Sequence, residues 1–165
     1  MINSKLIYKV LGQLLFIEAF LLFISLLVAY YYQQDDIFAF IVATLITIGG
    51  GLILKWKGHG ADNSMSRRDA YLVVSLSWII FSLFGTLPFM VSGYINNFTD
   101  AYFETMSGFT TTGATILDDV ECVPHGLLFW RSLTQWIGGL GIVFFTIALL
   151  PSLVGGQTKV FAAEA

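Results

Sequence analysis

The chain has 165 residues, 56% of them hydrophobic and only 12% charged, with a mean hydropathy of +0.78. A soluble domain carries about 25% charged residues, and half that share cannot cover a water-facing surface, so much of this surface must face lipid. The net charge of −3 comes without a basic stripe for nucleic acid, the lone Cys122 leaves no intrachain disulfide, and the isolated His59 and His125 show no metal-ligand spacing.

Charges are clustered along the chain, and the gaps between clusters predict four membrane spans. The first runs from Leu11 to Tyr32 and is broken only by Glu18, an intramembrane carboxylate for which a structural partner is expected, a proton or cation site being the alternative. Lys5 and Lys9 precede it as in a signal peptide, but the apolar stretch is too long for one, which predicts a retained helix. The second span, Ile37 to Leu54, is uncharged and contains Gly49-Gly50-Gly51. The third, Ala70 to Asn96, is also uncharged, and Pro88 is expected to kink or end it near its outer side. The fourth runs from Leu127 to about Val154, with Arg131 near its start and Gly138, Gly139 and Gly141 within it. Small residues of this kind let neighbouring helices approach closely; a flexible point in a pore-lining helix is the alternative. Neither glycine run follows a strand, so neither reads as a phosphate loop. Each span is near the ~20 residues a helix needs to cross a bilayer.

Basic residues alternate with their absence across the connections. Lys5 and Lys9 lie before the first span, and Gln33-Gln34-Asp35-Asp36 carries no base. Lys55, Lys57, Arg67 and Arg68 follow the second span, Tyr94 to Gly126 again has none, and Lys159 follows the fourth. With basic loops inside, this predicts a multi-pass protein of the cytoplasmic (inner) membrane with both termini in the cytoplasm.

The connection from Tyr94 to Gly126 is too apolar for a plain outer loop. Ala101 to Phe109 reads as a short helix, with Thr99 or Asp100 as N-cap and Gly108 near its end. About ten residues span roughly 15 Å, half a bilayer, which reads as a re-entrant half helix. Thr110-Thr111-Thr112 are β-branched and favour extended backbone, and Gly113 permits a positive φ. Such backbone at membrane depth survives only when buried in protein or lining water, and inward carbonyls around a monovalent cation meet that condition. Asp118, Asp119 and Glu121 would concentrate cations at the outer mouth or form a solvated loop face. An ion pair between Glu104 and Arg131 behind this loop is expected, because intramembrane charges seek partners; snorkelling of Arg131 is the alternative. Asn97-Phe98-Thr99 is a weak glycosylation match. No Ser-His-Asp arrangement marks an enzyme.

Thr110-Thr111-Thr112-Gly113-Ala114-Thr115 after a half helix resembles the first filter loop of the Trk/Ktr/HKT superfamily of potassium transporters. Trp130 to Gly141 resembles the helix that follows that loop, and the helices before Lys55 resemble the extra N-terminal pair of its TrkH branch. The resemblance implies an all-α integral membrane fold: an N-terminal helix pair (1–62), then one helix–pore loop–helix repeat with a re-entrant half helix (63–165). It implies potassium uptake through backbone carbonyls, with Thr111 and Thr112 coordinating K+ and Thr110, Gly113 and Ala114 completing the filter. Thr115 stands where tetrameric potassium channels have a second glycine, which implies a looser filter than theirs. Further implied partners are a cytoplasmic nucleotide-binding regulatory subunit and further pore repeats. One repeat is one quarter of such a filter, so either four copies assemble or the chain continues; continuation is the expectation. A non-conducting four-helix membrane scaffold has no need of the Thr110–Thr115 loop. An ion-coupled re-entrant-loop transporter would want two inverted loops, and one is present.

Overall fold

The computed structural model describes residues 2–62, 65–117, 119–120 and 122–161, with Arg67 and residues 144–161 described by backbone alone. Among the described residues all regular structure is helical.

Helix α1 (Ser4–Tyr32) starts under the Asn3 side chain, which accepts from Leu6 N–H at 3.2 Å. It begins two turns before the apolar span, because Lys5 and Lys9 are good helix formers that can sit in the interface. It ends at Gln33, whose φ of 52° turns the chain into the short connection. Helix α2 (Ile37–Lys57) returns antiparallel along α1. Glycine makes this approach close: a Cβ at Gly12 would lie 2.8 Å from the Lys55 nitrogen and 2.9 Å from the Gly51 carbonyl oxygen.

Helix α3 (Arg67–Gly85) opens on a capping box, with Ser66 and Asp69 exchanging hydrogen bonds. Asp69 also accepts from the Asn3 backbone N–H at 3.0 Å, tying the starts of α1 and α3 together. The third span does not continue as one helix to Asn96. It breaks at Thr86 and restarts as α4 (Leu87–Val91), with Pro88 in the first turn. There the missing N–H costs nothing, whereas within a continuous helix the ring would collide with the carbonyl four residues back.

Three stretches of the described residues are long and apolar enough to cross a membrane: Ser4–Tyr32, Ile37–Lys57 and Arg68–Val91. The span expected from Leu127 to Val154 falls inside α6 (His125–Phe161), a continuous 37-residue helix. Between them, α5 (Phe98–Phe109) has 12 residues, about 18 Å at 1.5 Å per residue. Its N-cap is Asn97, which accepts from Thr99 N–H at 3.0 Å; this corrects the expected cap at Thr99 or Asp100 by two or three residues.

The core lies where α5 and the start of α6 meet the rest. Leu22, Phe40, Phe89, Phe109, Leu127 and Trp130 are buried together. Trp130 donates its indole N–H to the Gly85 carbonyl at 3.1 Å, filling one of the unpaired acceptors at the C-terminal end of α3. Phe20, Tyr31, Phe38, Leu45, Trp56 and Trp136 stand exposed on the outer faces, as lipid contact requires.

Candidate functional site

The loop that follows α5 is held almost entirely by α5 itself. Thr110 N–H donates to Met106 O at 2.9 Å and Thr111 N–H to Gly108 O at 2.9 Å. Thr112 and Gly113 N–H both reach Ser107 O, at 2.9 and 3.4 Å. The donors of four successive residues are thus spent on the end of the helix. Their acceptors are not: among the described residues, no hydrogen bond reaches the carbonyl oxygen of Thr110, Thr111, Thr112 or Gly113. Two positive φ angles shape the segment, 58° at Thr111 and 75° at Gly113. Glycine takes such an angle freely, while a β-branched threonine takes it at a cost of about 1–3 kcal/mol that the surroundings must cover. The Thr110 hydroxyl donates to Met106 O at 2.7 Å and lies 2.9 Å from the Thr112 hydroxyl.

The ascending side, residues 114–117, is bound by two side chains of α5. Ser107 donates its hydroxyl to Ala114 O at 2.6 Å. The Glu104 carboxylate accepts from the Thr115 hydroxyl at 2.9 Å and from Ile116 N–H at 3.1 Å. The same carboxylate takes the Arg131 Nε–H at 2.5 Å, so one group joins the short helix, the loop exit and α6. Glu104 is only 3% exposed, which makes this arrangement of donors a condition of its burial.

Helix α6 packs on the C-terminal end of α5 through two contacts that only glycine allows. A Cβ at Gly138 would overlap the Phe109 carbonyl oxygen, and one at Gly108 would overlap the Thr134 hydroxyl. A Cβ at Gly141 would lie 3.1 Å from the Trp78 ring, tight but not overlapping, whereas one at Gly139 would meet nothing nearer than Thr111 Cγ2 at 3.9 Å.

The structure therefore brings Thr110, Thr111, Thr112, Gly113, Glu104 and Arg131 into one assembly. Asp118 and Glu121 lie outside the described residues. Asp119 accepts from the Cys122 thiol at 3.0 Å, and that hydrogen bond and the aspartate charge push the thiol up from its ordinary value. Ser107 and Thr115 were not anticipated as supporting residues. A signal for the first existed: Glu104 and Ser107 are three apart and share one helix face.

A second polar cluster joins the α1–α2 connection to the start of α6, residues 91 apart in sequence. Gln34 Oε1 accepts from His125 N–H at 2.7 Å, and Tyr32 stacks on the His125 ring at 4.1 Å. Asp36 Oδ2 accepts from Leu127 N–H at 3.2 Å, beside Gly126, where a side chain would collide with the carboxylate. Asp36 is buried, and burial raises its carboxyl above the ordinary value; backbone N–H groups and the His125 charge pull the other way. The carboxylate answers the unpaired N–H groups and positive end of α6.

Fold and site together define an integral membrane protein, all-helical among the described residues, with a half-length helix packed against long apolar helices and an exposed polar loop at its end. The family model TrkH, described as a cation transport protein, matches residues 33–165, and the chain belongs to that family. Among curated relatives, the Trk system potassium uptake protein TrkH of Halomonas elongata is 37% identical over 163 residues, covering 98% of this chain and 34% of that protein. TrkH of Escherichia coli strain K12 is 35% identical with the same coverage. Trk system potassium uptake protein TrkI of Halomonas elongata is 34% identical, over 96% of this chain and 32% of that one. The crystal structure of the potassium transporter TrkH from Vibrio parahaemolyticus superposes with a TM-score of 0.83 at 31% identity, covering 89% of this chain and 32% of that chain. The chain spans about a third of the length of these relatives.

Proposed function

We propose that this chain supplies an N-terminal helix pair (1–62) and the first helix–pore loop–helix repeat (63–165) of a potassium uptake protein of the cytoplasmic (inner) membrane. In this reading α5 is the re-entrant half helix, and Thr110, Thr111, Thr112 and Gly113 line one wall of the ion path. The observation that carries it is the split in backbone hydrogen bonding. Four consecutive N–H groups are satisfied by α5 while the four matching carbonyls remain open. All four residues stand exposed on this chain taken alone, and a dehydrated monovalent cation is a partner that several carbonyls on such a face can share where further walls enclose it. The positive φ at Thr111 and Gly113 supports this, because left-handed residues at alternate positions rotate peptide planes that would otherwise point to opposite sides. The half helix also directs its partially negative end toward the loop, which favours a cation.

Potassium is the ion because the relatives are named as potassium uptake proteins. Both termini lie in the cytoplasm on the distribution of Lys and Arg. The other three walls come from further repeats, and a cytoplasmic nucleotide-binding subunit is the regulatory partner the family suggests. The test is rubidium uptake by cells lacking their own potassium uptake, expressing the complete reading frame. Gly113→Asp places a charged, β-substituted residue at φ 75°; uptake should be lost with normal membrane insertion. Normal uptake by that variant would falsify the filter assignment.

A further inference from the structure

Glu18 is the most deeply buried ionisable side chain of the first span, at 1% exposure. Neither carboxyl oxygen has a hydrogen-bond partner among the described residues, and no ion pair reaches it. The structural partner anticipated for it is therefore absent from this chain's described residues. It lies on the stripe Leu11, Leu15, Glu18, Leu22, Ser25, Ala29 that α1 buries. The antiparallel register sets Gly12 against Gly51 and Leu15 near Gly50, which carries Glu18 to the level of Thr47. Thr47 is fully buried with its hydroxyl donated to Ala43 O at 2.8 Å, leaving its lone pairs as acceptors. One turn away, the Thr44 hydroxyl oxygen is buried and also without a partner.

The elements packed on α1 bring no counter-charge to this level. Helix α2 has no charged residue from Ile37 to Leu54, and α3 has none from Ala70 to Gly85. Helix α6 has none from Ser132 to Thr158, and Arg131 above is committed to Glu104. The nearest base in the seam, Lys55, holds its ammonium 5.7 Å over the Phe16 ring and makes no ion pair with Glu18. Lys9 lies more than two turns below, toward the helix start. A lone ionised carboxylate in such a place costs so much that the group neutralises instead.

We propose that Glu18 is a proton-binding site inside the α1–α2 seam, a carboxylic acid held at membrane depth and separate from the loop at 110–113. The site takes a proton and not a metal ion, since a single carboxylate with no hydrogen-bonding group in reach among the described residues offers too few oxygens for a cation's shell.

The experiment uses the complete protein in membranes at neutral pH. Dicyclohexylcarbodiimide, which enters lipid and reacts with protonated carboxyls, is added, and the adduct is located by mass spectrometry. The expected result is an adduct at Glu18 that falls as pH rises and is unaffected by sodium or potassium. Infrared spectra should show a protonated-carboxyl C=O band that disappears in Glu18→Gln. Glu18→Gln, the neutral isostere of the acid, should insert and retain helix content. Absence of both adduct and band, or protection by either cation, overturns the proposal. So does a Glu18→Gln protein that fails to insert while Glu18→Asp succeeds, because that pattern requires a charge.

Discussion

Arg131→Gln is the most informative single change at the loop. It removes the guanidinium from Glu104 and leaves a carboxylate that is 3% exposed with only the Thr115 hydroxyl and the Ile116 N–H as donors. Removing one partner of a buried ion pair costs about 3–5 kcal/mol. The Arg131 side chain is 21% exposed, so water recovers part of that, and the two neutral donors remain. A loss of about 2–3 kcal/mol follows, equivalent to roughly a 30- to 150-fold shift toward a released loop. The ascending segment is anchored to the same carboxylate, so release widens the path and selectivity falls before insertion does. The assay compares rubidium with sodium uptake in cells lacking endogenous potassium uptake, with membrane protein level as control. The variant should lose most of its preference for rubidium. Glu104→Gln with Arg131→Gln should recover part of it, since no uncompensated charge remains, and the pair should be strongly non-additive. Unchanged ion preference in Arg131→Gln, or a double variant worse than either single one, would refute the reasoning.

Gly138→Ala should cut rubidium uptake by about tenfold or more, because its Cβ overlaps the Phe109 carbonyl oxygen and overpacking costs about 1–3 kcal/mol. Gly139→Ala, with nothing nearer than 3.9 Å, should retain uptake in the same assay. Trp130→Phe loses the hydrogen bond to Gly85 O and should lower the detergent-solubilised melting temperature, for a cost of about 1 kcal/mol. Asp36 should make stability fall with rising pH. Its folded carboxyl binds its proton more tightly than in the unfolded chain, so folding is favoured at pH below the unfolded value of ~3.9 and loses that advantage as pH rises through the raised one. Asp36→Asn should flatten the dependence of thermal stability on pH over that window.

The helices were legible because lipid imposes long uncharged runs, and the gaps between charge clusters mark α1, α2 and the α3–α4 stretch. Their ends were less so. Lys5 and Lys9 extend α1 outside its apolar run, and Pro88 marks a restart two residues past Thr86 where a simple kink was one of the expectations. The cap at Asn97 was missed because Asn97, Thr99 and Asp100 are all competent caps, and tertiary packing of Ala101 and Thr105 selects the frame. The loop at 110–113 announced itself through three β-branched residues before a glycine. The positive φ at Thr111 did not, since nothing in a threonine's sequence context signals a strained angle. The link from Gln34 and Asp36 to His125 and Leu127 could not be read at all. It joins residues 91 apart, and only the folded packing of α1 and α2 against α6 creates it.

The central claim concerns the open carbonyls of Thr110 to Gly113. It is tested most directly by diffraction from the complete protein grown in rubidium, using the anomalous signal of that ion. The account predicts a rubidium peak within coordination distance of the Thr111 and Thr112 carbonyl oxygens, absent in Gly113→Asp. A rubidium-loaded, transport-competent protein with no peak along residues 110–113 would contradict it.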